Sequence, residues 1–476
     1  MVRREYVQRS VFEGLLPDGD KLWDPALRRI DEILDDEALL DLIADALERR
    51  RPMSRIRGRL GTPAEVVLRM LVLKHLYDWS FDECEREVRG SLVYRAFCRI
   101  DCERVPDAKT LIRLAQLLGP DTLKGLVERL VAVARQRKII RGFRMRVDTT
   151  VVETNIHYPT DSTLLADGVR VLTRTLKQLR GVVGPGLLQV RDRTRSVARR
   201  VFAITQHSRT ATVRSGAAVR EKTQARMRQL YREVMALTRA VVRQADTAAQ
   251  RVEAGTVRAV GLAQMRVDAL AQGLRHTGGL VRRVLVQTRA RVLKGDTHYP
   301  DKVLSLFEPH TEAIRKGKAA KPTEFGKLVK LQEAEAQFIT DYEVCATRVS
   351  DGDLWEPALD RHAHLFGRPP RLAVADAGFA SARNERAATD RGVRRVALPS
   401  RGGPSSLRRA HQRQRWFRRA LRWRTGCEGR ISVVKRRHGL RRCRYRGLDG
   451  MERWVGLGVI ANNLLVLGRA SPQRRR

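Results

Sequence analysis

Residues 161 to 290 contain one proline, Pro185 in the breaker GVVGPG, and are dominated by Arg, Ala, Val, Leu and Gln. Stretches such as VRDRTRSVARRVFAITQ and QARMRQLYREVMALTRAVVRQADTAAQRVEA read as long helices with a basic outer face. What flanks this block constrains the fold. Before it, RMRVDTTVV (144–152) alternates and is rich in β-branched residues, as a strand should be. After it, DKVLSLFEPHTEAI, AQFITDYEVCA, RLAVADAGFAS and RRVALP read as strands, with VLSLFEPH the second in the series. A sheet must therefore be assembled from both sides of a helical block, which has to project as an insertion.

Upstream, residues 60 to 130 read as short helices. LGTPAEVVLRMLVLKHLYDW has Thr62 as N-cap, Pro63 at the first helical position and Glu65 closing a capping box, with Val66, Met70, Leu73 and Leu76 on one face. A second box, Ser80 to Glu83, opens the next helix, and a third helix follows VPDAKTL. Short helices with tight turns suit a helix-turn-helix arrangement, although many bundles look alike. Downstream, an Arg-rich linker leads into a helix with Glu428 near its start, and a last helix runs from Arg453 to Leu467.

Charge narrows the partners. The net charge is +41, with 79 Arg against 15 Lys. Such an excess points to a polyphosphate, with an anionic membrane surface second. The apolar run WVGLGVIANNLLVLG is too short to span a bilayer, and the start lacks the apolar core of a signal peptide. Six cysteines without a CxxC pair read as reduced thiols; Cys98 and Cys102 read as an i,i+4 helical pair with no partner half of a zinc site.

Three acids stand out. Asp148 lies mid-strand, where Asp is a poor strand former. Asp376 ends the apolar strand RLAVA and is followed by Gly378, a common active-site placement in α/β folds. Glu428 is the only carboxylate between Asp390 and Asp449, in a region where residues 401 to 446 hold sixteen arginines. Singly each acid suits a structural role. Together, in so basic a chain, they suggest two-metal phosphoryl chemistry: carboxylate oxygens suit Mg²⁺, and paired ions serve the attacking and leaving oxygens of an in-line displacement.

The chain resembles DDE transposases of the IS4/IS5-like bacterial insertion-sequence group. GTPAEVVLRMLVLKHLYDWSFDECEREVRGS is similar to their N-terminal helical domain, VDTTVVETNIHYPTDSTLL to the strand of the first catalytic Asp, VLSLFEPHTEAIRKGK and EFGKLVKL to the intervening sheet, and VADAGFAS to the segment of the second Asp. The family signature Tyr-x2-Arg-x3-Glu-x6-Lys is met by Arg424, Glu428 and Lys435, but Leu421 stands at the Tyr position.

The resemblance implies an α/β fold, a ribonuclease H-like mixed five-stranded sheet with flanking helices. It implies an N-terminal helical DNA-binding domain (1–140), a catalytic domain (141–160 and 291–476) and a helical insertion (161–290). Asp148, Asp376 and Glu428 would hold two Mg²⁺ ions, with Mn²⁺ as an alternative. Arg424 and Lys435 would contact phosphate, and Arg436, Arg437, Arg441 and Arg442 the DNA backbone. His157 is passed over as a general base. The implied activity is cleavage at insertion-sequence ends and strand transfer into double-stranded target DNA, by a homodimer in the bacterial cytoplasm at the nucleoid. A nuclease or resolvase of the same fold, and an inactive DNA-binding derivative, are the alternatives.

Overall fold

The computed structural model describes residues 3–4, 22–49, 60–210, 216–315 and 322–470. The chain divides into two compact units, Met1–Asn155 with Glu312–Arg476, and Ile156–Thr311.

Among the described residues of the first unit, seven helices precede the sheet: α1 (Pro25–Leu34), α2 (Glu37–Glu48), α3 (Ala64–Leu76), α4 (Phe81–Gly90), α5 (Leu92–Phe97), α6 (Ala108–Ala115) and α7 (Pro120–Gln136). The Ser80–Glu83 capping box opens α4 as its sequence predicts, each side chain bonding the other residue's backbone N–H. At α3 the expectation differs from the outcome. Its N-cap is Pro63, with no side-chain capping bond, and it is buried all round rather than along one face. Glu65 instead receives Arg69 Nε at 2.9 Å, and the buried Arg69 guanidinium also meets Asp31 at 2.5 Å and Asp35 at 2.6 Å. Three carboxylates around one buried Arg satisfy its donors, without which the charge could not be buried. Cys98 lies just beyond α5 and Cys102 is exposed in a bend, so the two are not a helical pair.

The sheet has six strands rather than five: β1 (Arg144–Glu153), β2 (Glu312–Ile314), β3 (Glu324–Glu333), β4 (Ile339–Val344), β5 (Leu372–Val374) and β6 (Arg395–Ala397). Their order is β2-β3-β1-β5-β6, with β4 also paired to β3. β3 runs antiparallel to β1, while β5 and β6 are parallel to it. VLSLFEPH (303–310) is not a strand; of the longer stretch DKVLSLFEPHTEAI only Glu312–Ile314 joins the sheet, and β3 follows β1 as the second long strand. The apolar run ends in Pro309, which cannot donate to a ladder. Helices α12 (Trp355–Phe366) and α13 (Ala382–Asp390) link the later strands.

The Arg-rich stretch after β6 is helical as well, forming α14 (Ser406–Arg413) and the long α15 (Arg415–Arg437), so Glu428 falls in mid-helix. The last helix, α16 (Gly447–Arg469), is buried on all sides. It shares a core with residues of the N-terminal helices, β3 and β4, so those helices are not set apart from the sheet. Asn463 explains the polar residue in its apolar run: its side chain accepts from Ile339 N at 3.1 Å and donates to Ile339 O at 2.7 Å, satisfying the first residue of β4. Among the described residues no helix is long and apolar enough to cross a membrane.

The second unit is built on α8 (Asp161–Val183), α9 (Thr194–Thr210), α10 (Ala217–Glu253) and α11 (Leu262–Thr288), which have their own core of Leu, Val and Ala side chains. Gly168 lets α8 approach α11 closely: a Cβ there would lie 2.6 Å from Val281. Gln287 bonds both backbone groups of Val303, tying the returning chain to α11.

Candidate active site

Asp148 and Asp376 are brought together by strand register. Arg146 of β1 pairs with Val374 of the parallel β5. The pairing ends there; Asp148 lies two residues further along β1, and Asp376 two residues beyond the end of β5, in the turn that follows it. Asp376 caps the turn after β5, accepting from Gly378 N at 2.8 Å. Asp148 is 8% exposed and accepts from Thr149 N at 2.7 Å.

Glu428 arrives from α15. The buried residues Phe417, Ala420, Cys427 and Val434 of that helix recur at three- and seven-residue steps and set the face turned to the sheet. Gly426 makes the approach close, since a Cβ there would lie 2.6 Å from Arg146. Arg424 falls within the same face. Its guanidinium lies 2.6 Å from Glu428 and 3.5 Å from Asp148, so one cation joins the first and third acids. Arg424 therefore answers two carboxylates, besides any phosphate contact expected of it. Leu421, at the Tyr position of the signature, is partly buried against Val374, Ala397 and Phe417, which favours an apolar side chain there.

Behind the acids Arg146 is buried with Glu333, Nη2 to Oε2 at 2.6 Å, and donates from Nη1 to Trp423 O at 2.5 Å. Burial pushes the Glu333 carboxyl up against the pull of Arg146, and burial likewise raises the Cys427 thiol beside it. This strut fixes α15 to β1 and so fixes where Glu428 stands.

A fourth acid escaped the sequence reading. Asp351, in a turn before α12, accepts from Thr149 Oγ1 at 2.7 Å. Its Oδ2 and Asp376 Oδ1 both lie 2.8 Å from the position a Cβ on Gly378 would take, so the two carboxylates are neighbours and only glycine fits between them. Its sequence context, SDGD, reads as an ordinary solvated turn.

The remaining candidates are spread along one edge. Lys435 is half-buried two turns after Glu428, and Arg436 and Arg437 are exposed in the last turn. Arg441 and Arg442 follow the helix. Arg441 O accepts from Glu153 N, and Arg442 forms a bridge to Glu153 with its guanidinium 3.5 Å from that carboxylate. His157 belongs to the helical unit, 3.6 Å from Asp167.

Carboxylate oxygens are the right chemistry for Mg²⁺, and Asp148, Asp376 and Glu428 all supply them. Among the described residues, however, no three His, Cys, Asp or Glu side chains converge as a metal-holding group. The Arg424 guanidinium stands between two of the acids.

Comparison with known proteins adds two matches. A transposase domain (DUF772) matches residues 11–117, and a transposase DDE domain matches residues 394–467, the segment carrying Glu428 and Lys435. Both matches are to domains of transposases, and each covers less than half of the chain. An uncharacterized protein, ORF8 in the nfe locus of Rhizobium meliloti, is 29% identical over 127 residues, 25% of this chain and 61% of that relative's length. No solved structure matches. Asp148 and Asp376 lie outside both matched segments, so their assignment rests on register and sequence.

Proposed function

We propose that this chain is a transposase that cuts double-stranded DNA at the ends of an insertion sequence of the IS4/IS5-like group and joins those ends to target DNA, using Asp148, Asp376 and Glu428. The observation that supports the reading is the parallel pairing of Arg146 with Val374, two residues before each aspartate, together with the link of Glu428 to Asp148 through Arg424. The strand order supports a ribonuclease H-like sheet, with β1, β5 and β6 parallel and β3 and β4 antiparallel neighbours.

Bound divalent ions, Mg²⁺ or Mn²⁺, would supply charge at the attacking and leaving oxygens. The chain's own residues do the rest. Asp148 presents its oxygens from a strand, which holds position better than a loop would, and Asp376 from the capped turn directly after the neighbouring strand. Glu428 completes the set once Arg424 turns from the carboxylates towards a DNA phosphate, a bidentate partner to which guanidinium is suited. Lys435, Arg436 and Arg437 continue the positive edge, and Arg441 and Arg442 extend it, adding affinity without sequence information. The N-terminal helices would bind end DNA, and the helical unit would contact DNA or a second subunit of a homodimer at the nucleoid.

The test is cleavage and strand transfer of a DNA carrying the element's own ends, with Mg²⁺ or Mn²⁺. Cutting without joining would favour a nuclease, and neither activity with intact binding would favour a DNA-binding derivative.

A further inference from the structure

At the starts of the parallel strands lies a cleft of about 1060 Å³. Arg144 of β1, Leu372 of β5 and Arg395 of β6 stand in one register row there, four residues before the aspartates. At about 3.3 Å per residue the row is roughly 13 Å from the acids. Arg141 borders it before β1, Arg371 before β5 and Arg394 before β6; Arg415 and Arg419 face it from α15. All seven arginines are exposed, and among the described residues none is ion-paired.

Glu335 is the one acid in the lining, and its charge is already engaged. Its two oxygens accept from the backbone N–H groups of Arg141, Gly142, Phe143 and Arg144 at 2.8 to 3.2 Å. Aromatic rings hold the guanidinium groups apart: Arg371 lies 4.3 Å from the Phe143 centroid and Arg395 5.4 Å from that of Trp416. Elsewhere on this unit arginines meet carboxylates, as Arg391 does with Asp360 at 2.7 Å and Arg129 with Asp36 at 2.6 Å. Seven unneutralised guanidinium groups so close together repel one another and need an anion of repeating charge. On α15, Trp416, Arg419 and Trp423 share one face, while Arg424, Glu428 and Lys435 share another, so the cleft and the acids look out in different directions.

We propose that this cleft is a second binding groove for the phosphate backbone of double-stranded DNA, holding a stretch other than the one cut at the acids. The proposal rests on the transposase reading for its choice of DNA.

The test measures binding of the full chain to a 30-base-pair duplex across a salt series. In the triple variant Arg141→Ala/Arg394→Ala/Arg419→Ala the slope of log K against log salt should fall by about 2 to 3, at about 0.9 per lost phosphate contact. A fall of less than about one unit overturns the groove. Arg391→Ala, which removes a guanidinium outside the cleft already paired with Asp360 and Glu356, should keep the full slope. The native chain, irradiated on the same duplex, supplies a measure that needs no variant. Crosslinks are expected at Trp416 or Trp423, and crosslinks confined to other peptides would overturn the proposal even if the triple variant fails to fold. Loss of slope in a protein whose native form neither cuts nor joins DNA would support the groove and sink the transposase reading alone.

Discussion

The two ends of the parallel strands treat arginine in opposite ways. At the acid end Arg424 is shared between Asp148 and Glu428. At the other end, five residues earlier on the same helix, Arg419 faces a cleft whose only carboxylate is consumed by backbone N–H groups. The lesson is that net charge does not locate a site. What distinguishes the ends is whether the cations have internal partners. Carboxylates kept beside an arginine can be released to do chemistry, whereas arginines kept without carboxylates can only hold an anion.

The strongest way to break this comparison is at the acids. Asp376→Asn and Glu428→Gln should each lower DNA cleavage by more than about 10⁴-fold, above roughly 5 kcal/mol of transition-state stabilisation, while affinity for duplex DNA stays within a factor of about two. Cleavage is read on a supercoiled plasmid bearing the element's ends and affinity by fluorescence anisotropy. Near-normal cutting by Glu428→Gln would remove the acid end from the argument.

The second effect concerns the strut between the ends. Arg146 lies two residues after Arg144 of the cleft and two before Asp148. Removing one partner of a buried pair costs roughly 3–5 kcal/mol, because the other charge stays buried alone. Arg146→Met should therefore lower the unfolding free energy by about that amount in a urea titration. Arg146→Met combined with Glu333→Leu should recover most of it. If the single variant is as stable as the native protein, α15 is held by its apolar face and not by the strut.

How much of this was legible beforehand follows from how local each signal is. Asp148 stood out because it interrupts a strand pattern, and Asp376 because a strand end, an acid and a glycine are adjacent in sequence. Glu428 stood out against its arginines. Its helix was misjudged at the start, because a dense run of Arg hides the Phe417, Ala420 and Cys427 spacing that turns one face to the sheet. Asp351 was invisible: it is tied to β1 through Thr149 and neighbours Asp376 across the absent side chain of Gly378. The cleft was invisible for the same reason, since its arginines come from four separate segments. VLSLFEPH misled because four apolar residues look like a buried strand whether or not a sheet edge is available.

A third test weighs the two ends by pH. His362 Nε2 donates to Gly142 O behind the arginine end at 3.0 Å, and His438 Nδ1 donates to His75 O at 3.1 Å beyond the C-terminus of α15. Both are buried, and burial lowers each to about 4. His362 Nδ1 and His438 Nε2 have no hydrogen-bond partner, so a second proton would be buried unsatisfied. For a base whose folded value lies below its unfolded value near 6.5, stability is complete above 6.5 and is lost as pH falls towards 4. Each group contributes on the order of 3 kcal/mol across that window. His362→Gln and His438→Gln should each make the fall of stability with acid shallower by about one proton; unchanged slopes would mean that neither end is braced by a neutral imidazole.

The smallest effect separates the ends by what Arg424 does before DNA arrives. Its guanidinium lies where Asp148 and Glu428 face each other, so a divalent ion entering there must displace it. Arg424→Gln removes the internal cation and leaves a shorter, uncharged polar side chain. In the absence of DNA, Mn²⁺ should then bind about tenfold more tightly, a difference of roughly 1.4 kcal/mol, measurable by titration calorimetry. The same variant should cut DNA more slowly, because the group that turns to the phosphate has gone. Arg419→Gln, in the cleft, should leave Mn²⁺ affinity unchanged, since no carboxylate there awaits a cation. If both variants gain Mn²⁺ affinity alike, the effect is one of overall charge, and the contrast between a paired and an unpaired arginine on one helix fails.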